Sequence, residues 1–231
     1  MSPFLVLFIG ILPSLAWLVV MTAVYHRART TLSVVPKVFL FGALSTIPTI
    51  ALELLFGSIL HVTDASTRSS IWQNVVIAAT VEELCKFAAL ALVVFRMRLF
   101  RRPLDGIIFG ITIGLGFVAI ENLLVVQFFG TESIIFRTLT TTVLHAATTG
   151  LLGFYCAIAH ENPRARASLV AQGVVIAIML HGIFNLVLFG SGQLSQYVAI
   201  LVVVILALLL AVATAKLWPR SDTHDPQLEK R

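Results

Sequence analysis

Seven apolar stretches of about twenty residues follow one another along this chain, at 3–25, 38–60, 73–95, 106–128, 135–159, 169–190 and 197–218. About 20 apolar residues is what an α-helix needs to cross the hydrocarbon of a bilayer. No water is available there, so each stretch must satisfy its own backbone hydrogen bonds, which a helix does. The chain is therefore expected to be all-α, a polytopic membrane helix bundle of about seven transmembrane helices. Of its 231 residues, 58% are hydrophobic and 12% charged, with a mean hydropathy of +0.99. A soluble domain carries roughly 25% charged residues, so residues 1–218 are read as a single transmembrane domain, with 219–231 as a short cytoplasmic tail.

The first stretch has no positively charged start, is too long for the apolar region of a signal peptide, and is followed rather than preceded by Arg27 and Arg29. It is read as a retained helix. The connectors after stretches one, three and five, with the tail, hold Arg27, Arg29, Lys37, Arg96, Arg98, Arg101, Arg102, Arg164, Arg166, Lys216, Arg220, Lys230 and Arg231. The other side offers Arg68, with Arg137 near a helix end. Positive-inside bias then places the N-terminus outside and the C-terminus in the cytoplasm. This distribution also accounts for the net charge of +5 without a nucleic-acid partner. Cys85 and Cys156 both fall inside stretches and read as inert small residues. Pro13 and Pro48 are expected to kink the first two helices. Gly106, Gly110 and Gly114 form a small-residue stripe that lets a neighbouring helix approach closely.

Against this background, Glu82, Glu83 and Lys86 in the third stretch and Glu121 in the fourth are out of place. Each such charge costs about 2.5–3.5 kcal/mol on insertion scales, so packing alone does not explain four. His145 and His181 lie in the fifth and sixth stretches, with Asn185 one turn beyond His181. Measured from the outer ends, Glu82, Glu121, His145, His181 and Asn185 lie at a shared depth of roughly 7–15 Å. At about 100° per residue, Lys86 falls between Glu82 and Glu83 in azimuth and reaches either one. Glu53 in the second stretch is a further cavity candidate or a boundary residue. Thr140, Thr141, Thr142, Thr148 and Thr149 are expected to bond to carbonyls of their own helix. His26, His61, His160 and His224 are assigned no chemistry.

Three chemistries use such a set. A glutamate and a histidine can activate water while His and Asn donate to the oxyanion of a hydrolysed amide. The same groups can ligate a metal such as Zn²⁺. Carboxylates and imidazoles can also relay protons or bind a cation in a carrier. The chain contains no HExxH, no G-x-S-x-G and no visible internal repeat of the kind carriers commonly show.

The ordered set Glu82-Glu83-x-x-Lys86, Phe117-x-x-x-Glu121-Asn122, His145-x-x-x-x-Gly150 and His181-x-x-x-Asn185 resembles the PrsW family of intramembrane endopeptidases. That family is related to the CAAX prenyl protease and bacteriocin-processing group. The match covers about residues 80–190, within a catalytic core of about 73–190. The resemblance implies a bacterial inner-membrane protease of glutamic type. Its founding example makes the first, extracytoplasmic cut in a single-pass anti-sigma factor.

The resemblance also implies site roles. Glu82 is the base, a histidine orients the water, and His181 with Asn185 forms the oxyanion site. Glu121 stands where the CAAX relatives carry a histidine, which leaves the partner of Glu82 open, and His145 is taken as that partner. The expected catalytic set is thus Glu82, Glu83, His145, His181 and Asn185, supported by Lys86, Glu121 and Asn122. No cofactor is expected, with Zn²⁺ as the alternative. The expected partners are the lipid bilayer and a membrane-protein substrate of the single-pass anti-sigma-factor kind.

Overall fold

A computed structural model describes residues 2–25, 34–59, 72–96, 103–190 and 192–222. Every regular element among them is helical. Helices α1 (Pro3–Val24) and α2 (Val35–Ile59) come first. Helix α3 consists of π-helical turns Trp72–Ala78, an α-helical segment Ala79–Ala91 and further π-helical turns Leu92–Arg96. Then follow α4 (Pro103–Phe129), a short α5 (Ile134–Leu139), α6 (Thr141–Glu161), α7 (Arg166–Leu188) and α8 (Gln193–Asp222).

Local sequence explains several of these boundaries. Ser2 caps α1 by accepting the Leu5 N–H at 3.3 Å, and Pro3 occupies the first turn, where no N–H is needed. α4 stops at Gly130, whose φ of +84° is the left-handed conformation that favours glycine, and its N–H returns to the Val126 carbonyl.

Among the described residues, six helices are long and apolar enough to cross a membrane, with α5 and α6 counted together as Ile134–Glu161. The third expected span is helical throughout, yet its regular part is only 13 residues long. The expected fifth span is interrupted: Thr140, at φ −118° and ψ −78°, separates α5 from α6. α8 continues to Asp222, past the expected edge at 218. The basic residues Arg27, Arg29, Arg68, Arg98, Arg101, Arg102, Lys230 and Arg231, and with them His26, His61 and His224, lie outside the described residues.

The bundle is built around α4. In its most apolar window 78% of residues are buried, and 72% in that of α5–α6, against 28% for α1, α2, α7 and α8. α4 packs against α6, α2 and α1, while α7 and α8 close over α6. In lipid, association rests on close van der Waals fit rather than on the hydrophobic effect. The glycines supply that fit on both sides of α4. A Cβ at Gly106, Gly110 or Gly114 would overlap the backbone carbonyls of Gly153, Thr149 and His145 on α6, and one at Gly116 would overlap that of Phe39 on α2. The outward faces of the peripheral helices carry large apolar side chains such as Phe4, Leu54, Met179 and Leu208, as lipid contact requires.

Candidate active site

The regular part of α3 carries Glu82, Glu83 and Lys86, so the i+3 and i+4 spacings hold there despite the π turns at either end. Lys86 is fully buried. Its Nζ lies 2.6 Å from Glu83 Oε1, 3.6 Å from Glu82 Oε2 and 2.8 Å from His145 Nδ1, and 4.6 Å above the centre of the Phe117 ring. The expected geometry of Lys86 between the two carboxylates is present, with Glu83 the closer. Glu83 Oε1 also accepts from His181 Nδ1 at 2.8 Å and from Thr148 Oγ1 at 3.3 Å.

These contacts fix the imidazole protons. An ammonium only donates, so His145 Nδ1 accepts from Lys86 and carries its proton on Nε2. That Nε2 stands 2.9 Å from Glu121 Oε2. His181 shows the opposite tautomer. Its Nδ1–H is spent on the Glu83 carboxylate, which leaves a lone pair on Nε2, and Nε2 lies 3.9 Å from Glu82 Oε2. The two rings meet edge to face, with centroids 5.0 Å apart.

Three carboxylate oxygens of the cluster, Glu82 Oε2, Glu83 Oε2 and Glu121 Oε2, are buried without a hydrogen bond within the protein. Glu82 Oε2 is the one that Lys86, His145 Nδ1 and His181 Nε2 together surround, at 3.6, 3.8 and 3.9 Å. Separations of that size are too long for direct hydrogen bonds and leave room for a small bridging molecule beside Glu82. The cluster opens into a cavity of about 330 Å³ lined by Glu82, Glu121, Arg137, His145, His181 and Asn185, among others. This cavity lies toward one end of the bundle, with Glu82 ten residues beyond Trp72, Glu121 eight before Phe129 and His181 seven before Leu188.

The structure thus brings together the expected catalytic and supporting residues. Asn185 lines the cavity one helical turn from His181. Asn122 is buried beside Glu121 and donates to Thr142 Oγ1 at 3.2 Å. One expectation meets a different geometry: water was placed between Glu82 and His145, but both ring nitrogens of His145 are engaged, and His181 Nε2 is the nitrogen left open toward Glu82. Glu53 is not among the residues lining the cavity, although its Oε1 is buried without a hydrogen bond.

The threonines divide. Thr140 Oγ1 bonds back to the Phe136 carbonyl at 2.7 Å, and Thr148 Oγ1 reaches the His145 carbonyl at 3.4 Å as well as Glu83. Thr142 accepts from Asn122, and Thr149 Oγ1 is buried without a hydrogen bond. Sequence reasoning missed Arg137, which was counted only for topology. Its Nη2 donates to Glu121 Oε1 at 2.5 Å and its Nε to Asn122 Oδ1 at 2.7 Å. The available signal was an arginine at the level of the site on the side otherwise poor in cations.

A helical membrane bundle whose interior gathers carboxylates, imidazoles and an ammonium around a small cavity has the groups with which a membrane-embedded hydrolase works. Comparison with known proteins makes this specific. The family model described as "PrsW family intramembrane metalloprotease" matches residues 30–212, and the chain belongs to the PrsW family. It is 29% identical over 191 residues to Protease PrsW of Shouchella clausii, covering 80% of this chain and 83% of the relative. It is 25% identical over 218 residues to that of Geobacillus kaustophilus, covering 94% and 95%. Against Protease PrsW of Bacillus subtilis it is 29% identical over 118 residues, 51% of this chain and 54% of that protein. No solved structure matches the chain significantly. The protein is therefore an intramembrane protease, a multi-pass bacterial membrane hydrolase.

Proposed function

We propose that the protein is an endopeptidase of glutamic type, in which Glu82 acts as the general base on a water molecule. The observation that carries this reading is the unpaired, buried Glu82 Oε2 facing His181 Nε2 across 3.9 Å. Both atoms accept hydrogen bonds, so a water between them donates both protons and turns its lone pair outward to a peptide carbonyl. Glu82 takes one proton as the C–O bond forms and returns it to the leaving amine when the C–N bond breaks. Glu83 holds the tautomer of His181, and Lys86 balances the two carboxylates. His145 is braced between Lys86 and Glu121. Asn185, one turn from His181 on the cavity wall, offers an amide donor to the oxyanion. His181 joins it as a donor only after gaining a proton, because Nε2 starts as an acceptor.

The substrate in this reading is a membrane protein cut near the extracytoplasmic face, of the single-pass anti-sigma-factor kind. Seven traverses, with the N-terminus outside, put the ends of the helices nearest the site on that face. The bias of lysine and arginine toward the other connectors supports the orientation.

A second reading has its own support. Glu82, His145 and His181 offer ligand atoms all within 4.8 Å of one another, and the matching family model carries the word metalloprotease. The donor set fits a zinc-like ion: the Glu82 oxygen and His181 Nε2 are open, and the Glu83–His181 pair is the carboxylate–histidine arrangement that orients metal ligands. The third donor, His145, would first have to release Lys86 or Glu121. Such an ion would act as a Lewis acid on water. The buried ammonium already beside these groups is the reason to rank this reading second.

One set of experiments tests both. Membrane proteomes of wild-type and Glu82→Ala cells are compared for single-pass proteins whose truncated forms vanish in the variant, and purified protein is assayed for metal. We expect the variant to insert normally and to lose cleavage. Wild-type cleavage by Glu82→Ala ends the assignment of the base. Stoichiometric zinc, with activity lost to chelators and restored by zinc, replaces the first reading by the second.

A further inference from the structure

Arg137 balances the charge of Glu121, and its geometry does more than that. It belongs to the six-residue helix α5, and it reaches two adjacent residues of α4 with different nitrogens: Nη2 to Glu121 Oε1 and Nε to Asn122 Oδ1. A guanidinium is planar, so two such bonds fix its plane and with it the carboxylate it grips. The other oxygen of that carboxylate faces His145 Nε2 at 2.9 Å. Glu121 is the most solvent-exposed acid of the cluster, its side chain 30% accessible against 13% for Glu82 and 0% for Glu83. Without a second point of attachment it would be drawn toward water in the cavity and away from the imidazole.

The backbone is arranged to deliver Arg137 to this place. The break at Thr140 lets α5 leave the axis of α6. One residue beyond Arg137, the Thr138 carbonyl accepts the Trp17 indole N–H at 2.8 Å, which ties α5 to α1. α5 is thus held by a side chain from α1 on one flank and by the Arg137 fork on the other.

We propose that Arg137 is a positioning residue of the peptidase, acting through Glu121 to hold His145 with its proton on Nε2 and its Nδ1 turned to Lys86. The proposal deepens the reading of this cluster as the hydrolytic site and rests on it. Partners that orient a site histidine through a carboxylate are worth about 10–100-fold where the histidine is a metal ligand, and a loss of that order is expected here.

The test uses full-length protein in detergent and a quenched fluorescent peptide spanning the cleavage site recovered from the membrane-proteome comparison. Arg137→Ala is expected to lower kcat by about 10–100-fold with KM within about two-fold of wild type. Arg137→Lys, which keeps the charge but lacks the fork, should recover part of the loss. In a Glu121→Gln background, Arg137→Ala should add little, because the two residues act as one unit. A readout that needs no substrate is the ¹⁵N spectrum of histidine-labelled protein, with His145 assigned by His145→Gln. Its Nε2–H signature should be present in wild type and altered in Arg137→Ala or, should that variant fail to accumulate, in Arg137→Gln.

Unchanged kcat in Arg137→Ala beside an inactive Glu82→Ala overturns the proposal. So does a raised KM at constant kcat, which would make Arg137 a substrate contact, and so do additive losses in the double variant. Cleavage unaffected by Glu82→Ala would instead sink the underlying reading, while the ¹⁵N spectrum would still report on the link from Arg137 to His145.

Discussion

Lys86 and Glu82 sit one turn apart on α3 and play opposite parts. The ammonium of Lys86 is enclosed, with Glu83, His145 and the Phe117 ring all in contact, so removing it strands a buried carboxylate. Breaking a buried pair from one side costs about 3–5 kcal/mol. Glu82 makes no hydrogen bond through its buried oxygen, so its removal strands nothing. Thermal unfolding in detergent should therefore show Lys86→Met losing about 3–5 kcal/mol, while Glu82→Gln unfolds close to wild type yet cleaves nothing. Equal destabilisation of the two would mean that Glu82 is a structural partner rather than a poised base. The residue types of the site were readable from the chain because a charge in an apolar run is too costly to keep without a role. Their pairing was not. That Glu83 rather than Glu82 takes most of Lys86, and that Glu83 rather than water holds His181 Nδ1, depends on rotamers and on groups from α6 and α7.

Among the elements, the seam between α4 and α6 governs the site, because α6 carries His145 and rests on the glycines of α4. At Gly114 the atom a Cβ would meet is the His145 backbone carbonyl, which cannot rotate away as a side chain could. Gly114→Ala should push α6 outward and pull His145 from Lys86. Misplacement of about 1 Å costs on the order of 100-fold in rate. Gly130→Ala makes the control: open space surrounds it and only its positive φ is strained, at about 1–2 kcal/mol. Cleavage assays on both should show a large loss in the first and a small one in the second. A wild-type rate for Gly114→Ala would show that the seam has slack. The glycine stripe was legible as a packing face from its spacing alone. The break at Thr140 was not, although Thr138, Thr140, Thr141 and Thr142 cluster there. The bond from Thr140 to the Phe136 carbonyl is the expected one and Thr138 makes the same bond to Ile134, but such back-bonds occur within continuous helices as well and do not announce a break. The π turns of α3 were hidden because Trp72–Ala78 and Leu92–Arg96 are too short to display a period from which a widened turn could be told.

At the scale of the whole molecule, the arrangement predicts an accessibility pattern. Cys85 and Cys156 are both buried and should resist a membrane-impermeant maleimide. A cysteine introduced at Ser2 should label from the outside of intact cells, and one in the tail beyond Asp222 only after permeabilisation. The reverse pattern would invert the molecule and move the site to the cytoplasmic half. The orientation rests on lysines and arginines in connectors, a signal written in the sequence and independent of packing. Helix rotation has no such signal. In a soluble bundle an apolar stripe marks the inner face of each helix, but in a membrane the lipid side is as apolar as the core.

That difference separates what the sequence by itself determined from what the tertiary structure decided. Length and hydropathy set the class of fold, and buried charge in a fixed order pointed to the candidate site residues and the family, because both are properties of composition along a line. Which helix is central, how α5 turns Arg137 onto Glu121, and which partner each histidine nitrogen meets were decided only by packing. Between lipid and an apolar interior, it is close glycine contacts and a few charged hydrogen bonds that fix the rotation of each helix, and those contacts join residues far apart in the chain.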